Sequence, residues 1–145
     1  MFLTVACIIY FPLSIIHARA SIELGYAARN GDMYQMREIF KAQNPKNLNI
    51  ESALTLSASY SRISAMRYLI CMGARDTNTA LVAASVRNKI KAVQFLISEE
   101  RCKVPATDLV SAMRAAGSSG AAEAEWLLFY TLKRGDVPPT PNILD

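Results

Sequence analysis

An all-α solenoid of about four stacked helix-turn-helix units is the fold class that this sequence predicts, and three observations predict it. Residues 53–70 and 80–97 carry one pattern without a gap at an offset of 27. The overlay pairs Ala53 with Ala80, Leu54 with Leu81, Ile63 with Ile90, Ala65 with Ala92, Leu69 with Leu96 and Ile70 with Ile97. Self-similarity at a period of this size marks an array whose units bury their apolar faces against one another. Within a unit the spacing is helical: Ile90, Val93, Phe95, Leu96 and Ile97 recur so that Lys89, Lys91 and Gln94 fall on the other side. The first half of each unit is rich in Ala and Ser, small residues that let two helices approach closely.

Residues 1–20 form an apolar leader, with no side-chain charge from Met1 to Ile16 and with Ala18-Arg19-Ala20 at the spacing of a signal-peptidase site. No Lys or Arg precedes the apolar run, Pro12 interrupts it, and it is shorter than the ~20 residues a spanning helix needs. Three outcomes stay open for it: a cleaved signal, a membrane anchor through residues 1–16, or a retained helix. The preferred one is retention, with Phe2, Ile8, Ile9 and Phe11 packed against Leu24, Ile39 and Phe40.

The repeat domain spans residues 21–133. In its first unit Ala28 overlays Ala58, Met33 overlays Ile63, Met36 overlays Met66 and Ile39 overlays Leu69, at an offset of 30. The second and third units follow, with tight turns expected at Asn30-Gly31-Asp32, Tyr60-Ser61-Arg62 and Arg87-Asn88-Lys89. The fourth unit aligns Leu109 with Leu81 and reaches its second helix after a longer turn at Gly117-Ser118-Ser119-Gly120. Residues 134–145, with Pro138, Pro139 and Pro141, read as a disordered tail. The predicted core is Leu54, Ala58, Ile63, Met66, Leu69, Leu81, Ala84, Ile90, Val93, Leu96, Trp126 and Leu127.

Catalysis has no foothold in this composition. The single histidine, His17, removes multi-His metal sites and His-based acid–base pairs. No glycine-rich phosphate loop is present, and Glu99-Glu100 and Glu123/Glu125 stand at spacings that diverge on a helix. No catalytic residue, metal ligand or cofactor is therefore expected. Cys7, Cys71 and Cys102 define neither a disulfide framework nor a metal spacing, which makes an intracellular chain the simpler account; Cys71 and Cys102 could pair if the leader were removed. The net charge is +4, and Arg62, Arg87, Lys89 and Lys91 gather at the equivalent turns of two adjacent units. They are the candidate partner-binding residues, either a ridge for an acidic partner or nucleic acid, or simply solvated charges.

From Tyr68 to Ala84 the sequence resembles the ankyrin repeat. An apolar pair closes one helix, Gly73-Ala74 follows, a polar Asp/Asn connector leads on, and the next helix opens with Leu81-x-x-Ala84. Arg29-Asn30-Gly31-Asp32 is similar to that family's interhelical turn. The resemblance implies a protein–protein interaction scaffold in which Gly73 supplies a left-handed helix stop. The Thr-Pro-Leu-His opening of that family is absent, and offsets of 27 and 30 fall short of its usual unit of about 33. A truncated β-hairpin finger is thus expected between the second and third units. Such degenerate units resemble the ankyrin-like multigene-family proteins of large DNA viruses, including African swine fever virus, which implies a host-directed effector that disables a defence protein in the cytoplasm. The last unit, and the first from Gly25 to Phe40, also resemble the pentatricopeptide repeat, which implies single-stranded RNA as the alternative partner. An offset of 27 is too short for that family's unit of about 35. A secreted or membrane-anchored protein would follow only if the leader acts as a signal.

Overall fold

The structure, a computed structural model, describes the backbone of residues 2–99, 102 and 104–135, and their side chains from residue 14 on. Eight helices follow one another among these residues: α1 Phe2–Asn30, α2 Met33–Ala42, α3 Ile50–Ser59, α4 Ile63–Cys71, α5 Thr77–Val86, α6 Ile90–Ser98, α7 Ala106–Ser119 and α8 Ala122–Arg134. They form four antiparallel hairpins stacked side by side. The first helices make the inner row, α1 on α3, α3 on α5 and α5 on α7. The second helices pack behind, α4 on α6 and α6 on α8.

The inner row is close-packed because its contact positions are small. Ala27, Ala28, Ala53, Ser57, Ala58, Ala80, Ala84, Ser85, Ala112 and Ala116 are all buried there. The two buried serines satisfy their hydroxyls within their own helix, Ser57 donating to the Leu54 carbonyl at 2.8 Å and Ser85 to that of Leu81 at 2.7 Å, so no polar group is orphaned by the burial. The outer row contributes the large side chains, among them Met36, Met66, Leu69, Val93, Leu96 and Leu128.

One turn joins the two helices of every hairpin. Gly31, Ser61, Asn88 and Gly120 occupy the same place with φ of 77, 55, 53 and 76°. Each gives its N–H to the carbonyl three residues back, and the next residue reaches the carbonyl five back, as in Arg62 to Ser57 at 2.8 Å and Lys89 to Ala84 at 2.9 Å. This is the Schellman pattern, which satisfies the orphan carbonyls of a helix end while reversing the chain. Gly73, also at positive φ, ends α4 in the same way.

Neighbouring repeats are tied at the entry to each inner helix. The Ser21 hydroxyl accepts the Asn49 N–H at 3.1 Å, and the Glu51 carboxylate accepts those of Arg75 and Asp76 at 3.0 and 2.9 Å. Ser21 and Glu51 are equivalent positions, and so are the helix-capping residues Asn49 and Asp76. The third equivalent, Asn78, faces a helix capped by Pro105, which has no N–H to give. Asn78 accepts the Ser111 hydroxyl instead, at 3.3 Å.

The junction between the second and third repeats is the short run Met72–Asp76, with no strand among the described residues, so the truncation expected there leaves only a connector without a β-hairpin. Three details of the sequence reading change. Gly117, Ser118 and Ser119 belong to α7, and the turn comes only at Gly120. With α7 reaching this far, the register of the fourth unit shifts by one helical turn: Leu109 stands where Thr77 stands and Ala112 where Ala80 stands, all four buried, in place of the Leu109–Leu81 match. Trp126, expected in the core, is 54% exposed. The core side of α8 is Ala124, Leu127, Leu128 and Thr131, and Trp126 projects away from it to stack on Tyr130 at 5.4 Å between ring centres. Ile63 and Ile90 are half-buried against the core, and the other nine predicted core residues are buried.

No break separates leader from repeat, for α1 runs through residue 20. The expected packing of Phe2, Ile8, Ile9 and Phe11 lies outside the described side chains, and the tail from residue 136 lies outside the described residues. Leu24 is fully buried within the stack. Among the described residues no helix is long and apolar enough to cross a membrane.

Candidate functional site

The repeated turn brings the second-helix N-caps Asp32, Arg62, Lys89 and Ala121 to one edge of the stack. Asp32 caps its own helix by accepting the Gln35 N–H at 3.0 Å, an arrangement that Arg and Lys side chains cannot supply. Arg62 instead lies back along the first turn. Its Nε donates to the Arg29 carbonyl at 3.0 Å, and its stem covers Gly31 so closely that a Cβ there would come within 3.2 Å of the Arg62 Cδ.

Arg87 also reaches back by one repeat. Its guanidinium lies over the Tyr60 ring at 5.2 Å, and Arg29 lies over the same ring at 4.6 Å. Of the four residues expected to act together, Arg62 and Arg87 therefore meet through Arg29 and Tyr60. Lys89 is half-buried at the head of α6, Lys91 is exposed two residues further on, and neither side chain has a partner among the described residues. Arg29 and Tyr60, read in the sequence only as turn residues, were missing from the candidate partner-binding set. Overlaying the turns could have found Tyr60, which stands opposite Arg87, but Arg29 lies one position off that register and joins only through the packing of repeats.

A second feature lies between α1 and α3. An open groove of about 390 Å³ is lined by Ser21, Ile22, Gly25, Tyr26 and Arg29 on one side and Asn49, Ser52 and Leu56 on the other. Gly25 lets the two helices close up at its base, since a Cβ there would meet Leu56 Cδ1 at 3.1 Å. Ile22 and Tyr26 flank the groove at 60% and 59% exposure. Large apolar side chains left in water at the same site are a common mark of a binding surface.

Chemistry-bearing groups lie apart from both features. His17 is half-buried with Nε2 3.4 Å from the Asn47 amide nitrogen. The Cys102 thiol is pushed up to about 11, first by burial and then by the charge of Glu99, so it stays protonated at neutral pH and is a poor nucleophile. Among the described residues no three His, Cys, Asp or Glu side chains converge as a metal site would require.

Residues 24–108 match the family described as ankyrin repeats (3 copies). No curated protein and no solved structure matches the chain. The match takes in the first three hairpins, including the unit from Gly25 to Phe40 that also resembled a pentatricopeptide repeat, and stops at the opening of α7. It covers more than half the chain, and the fourth hairpin continues the same turn geometry and the same inner-row packing. The chain belongs to the ankyrin-repeat family and carries that family's protein-binding repeat module.

Proposed function

We propose that this protein is a non-catalytic scaffold that holds a protein partner against the inner-helix face of its first two repeats. The observation that carries this reading is the groove between α1 and α3 with Ile22 and Tyr26 standing exposed along it. The inner row behind it is rigid, held by buried alanines and by the Ser21 and Glu51 ties, so little ordering accompanies binding. Exposed tyrosine and an adjacent arginine are the side chains that most often anchor protein interfaces. The short repeats, with no strand among the described residues, and the resemblance to viral multigene-family proteins support a host defence protein as the partner and the cytoplasm as the place of action.

Affinity capture by the full chain from cells of its native source, with and without nuclease, tests the reading. The expected result is a protein partner that survives nuclease and is lost with Ile22→Ser/Tyr26→Ser, while circular dichroism is unchanged. Loss of every partner on nuclease treatment, or capture indifferent to the double substitution, overturns it. The intact mass of the protein from the same source tests the location, since a chain starting at Ser21 would mean that it had entered the secretory route.

A further inference from the structure

The turn edge around Tyr60 holds positive charge that no ion pair among the described residues neutralises. Arg29 and Arg87 both stand over one ring, and Arg62 is bound to the backbone of Arg29. All three arginines are exposed, and none takes part in either ion pair found among the described residues, Arg19–Glu23 and Lys41–Glu38. Asp32, the acidic residue of the first turn, has its carboxylate engaged in a helix cap. Two like charges over a single ring oppose each other, and an anion brought from outside relieves that opposition.

We propose that this edge binds an acidic segment of the protein partner, extended along the turns of the first three repeats and presenting carboxylates two or three residues apart. The spacing follows from the geometry. Guanidinium carbons at 4.6 and 5.2 Å from one ring centre stand no farther apart than three residues of an extended chain, about 10 Å at roughly 3.3 Å per residue. Guanidinium forks match carboxylates in a planar, two-point geometry. The side-chain donors of Arg29 and Arg87 are uncommitted, and Arg62 has only its Nε in use. The Tyr60 ring is already covered by guanidinium and is not offered to a nucleobase, which favours a peptide over single-stranded RNA. The inference rests on the scaffold reading; Arg29 also lines the groove, but Arg62, Arg87 and Tyr60 do not.

Fluorescence anisotropy tests it, with the full chain titrated into a labelled decapeptide bearing Glu at every second position. A Gln version of the peptide and a uridine decamer run alongside. Binding to the Glu peptide should be saturable, weaken with added salt and exceed binding to the Gln peptide by about tenfold. Arg29→Gln and Arg87→Gln should each weaken it by about threefold or more with circular dichroism unchanged. Tyr60→Leu, which releases both guanidiniums, should do the same, and Tyr60→Phe should restore binding. Equal affinity for the two peptides, or variants that bind like the parent, overturns the proposal. Tighter binding of the decamer through the same arginines overturns it in favour of RNA. The groove variant leaves Arg62, Arg87 and Tyr60 in place, so lost partner capture with intact peptide binding refutes the groove reading alone. Absent peptide binding with the partner still captured refutes this proposal alone.

Discussion

Ser61 and Asn88 hold the same left-handed backbone as Gly31 and Gly120; Asn tolerates this conformation, but it disfavours the Ser61 side chain by roughly 1–2 kcal/mol. At Ser61 no side-chain bond compensates, and Ser61→Gly should raise stability by about 0.5–1 kcal/mol, read as a higher denaturant midpoint. Gly31→Ala should cost about 1 kcal/mol or more, because the new Cβ meets both the backbone preference and the Arg62 stem at 3.2 Å. Cys102 gives the chain a pH dependence with a definite sign. Its thiol titrates at about 11 when folded and at its ordinary 9.0 when unfolded, so the unfolded chain releases its proton first and stability falls as pH rises from 9.0 through about 11. Replacing Cys102 by Ala should flatten that part of a stability–pH curve measured by urea unfolding.

At the scale of the element, the helices borrow caps from their neighbours. α8 begins after Ala121, which has no acceptor, and the Asn88 side chain of the preceding repeat accepts the Ala124 N–H at 3.0 Å in its stead. Asn88→Ala should therefore cost about 1 kcal/mol, the usual size of a lost N-cap, and the loss should appear as faster amide exchange in the first turn of α8. This bond was invisible in the sequence, because it joins residues 36 apart through the packing of two hairpins. The shifted register of α7 has the same origin. Leu109 fits the apolar pattern equally well one turn earlier or later, and only the position of the Gly120 turn decides between them.

The whole molecule is a one-dimensional stack, in which each hairpin touches mainly the ones beside it, so its stability resides in the interfaces between repeats. Leu69 and Leu96 are fully buried at equivalent positions of the outer row. Leu69→Ala and Leu96→Ala should each cost about 2–5 kcal/mol in chemical denaturation. Trp126→Ala, at an exposed position, should cost far less, about 1 kcal/mol, mostly through its stacking on Tyr130. Denaturation midpoints ranked in the opposite order would contradict the stacking described for α6 and α8.

Helical period, small residues in the first half of each unit and an offset that pairs Leu54 with Leu81 and Leu69 with Leu96 were enough to determine the stack of hairpins from the sequence. Local chemistry also determined the turns at residues 30–32, 60–62 and 87–89, since a helix end that reverses direction has a short-range signature. The fate of side chains on α8 was left to tertiary structure, because an amphipathic pattern fixes a face only once its neighbour is placed: Trp126 lost its core position to Ala124 and Leu128. The basic cluster was half legible for the same reason. Arg62 and Arg87 stood out by their shared place in the repeat, but their convergence on Arg29 and Tyr60 depends on how three successive hairpins are laid together.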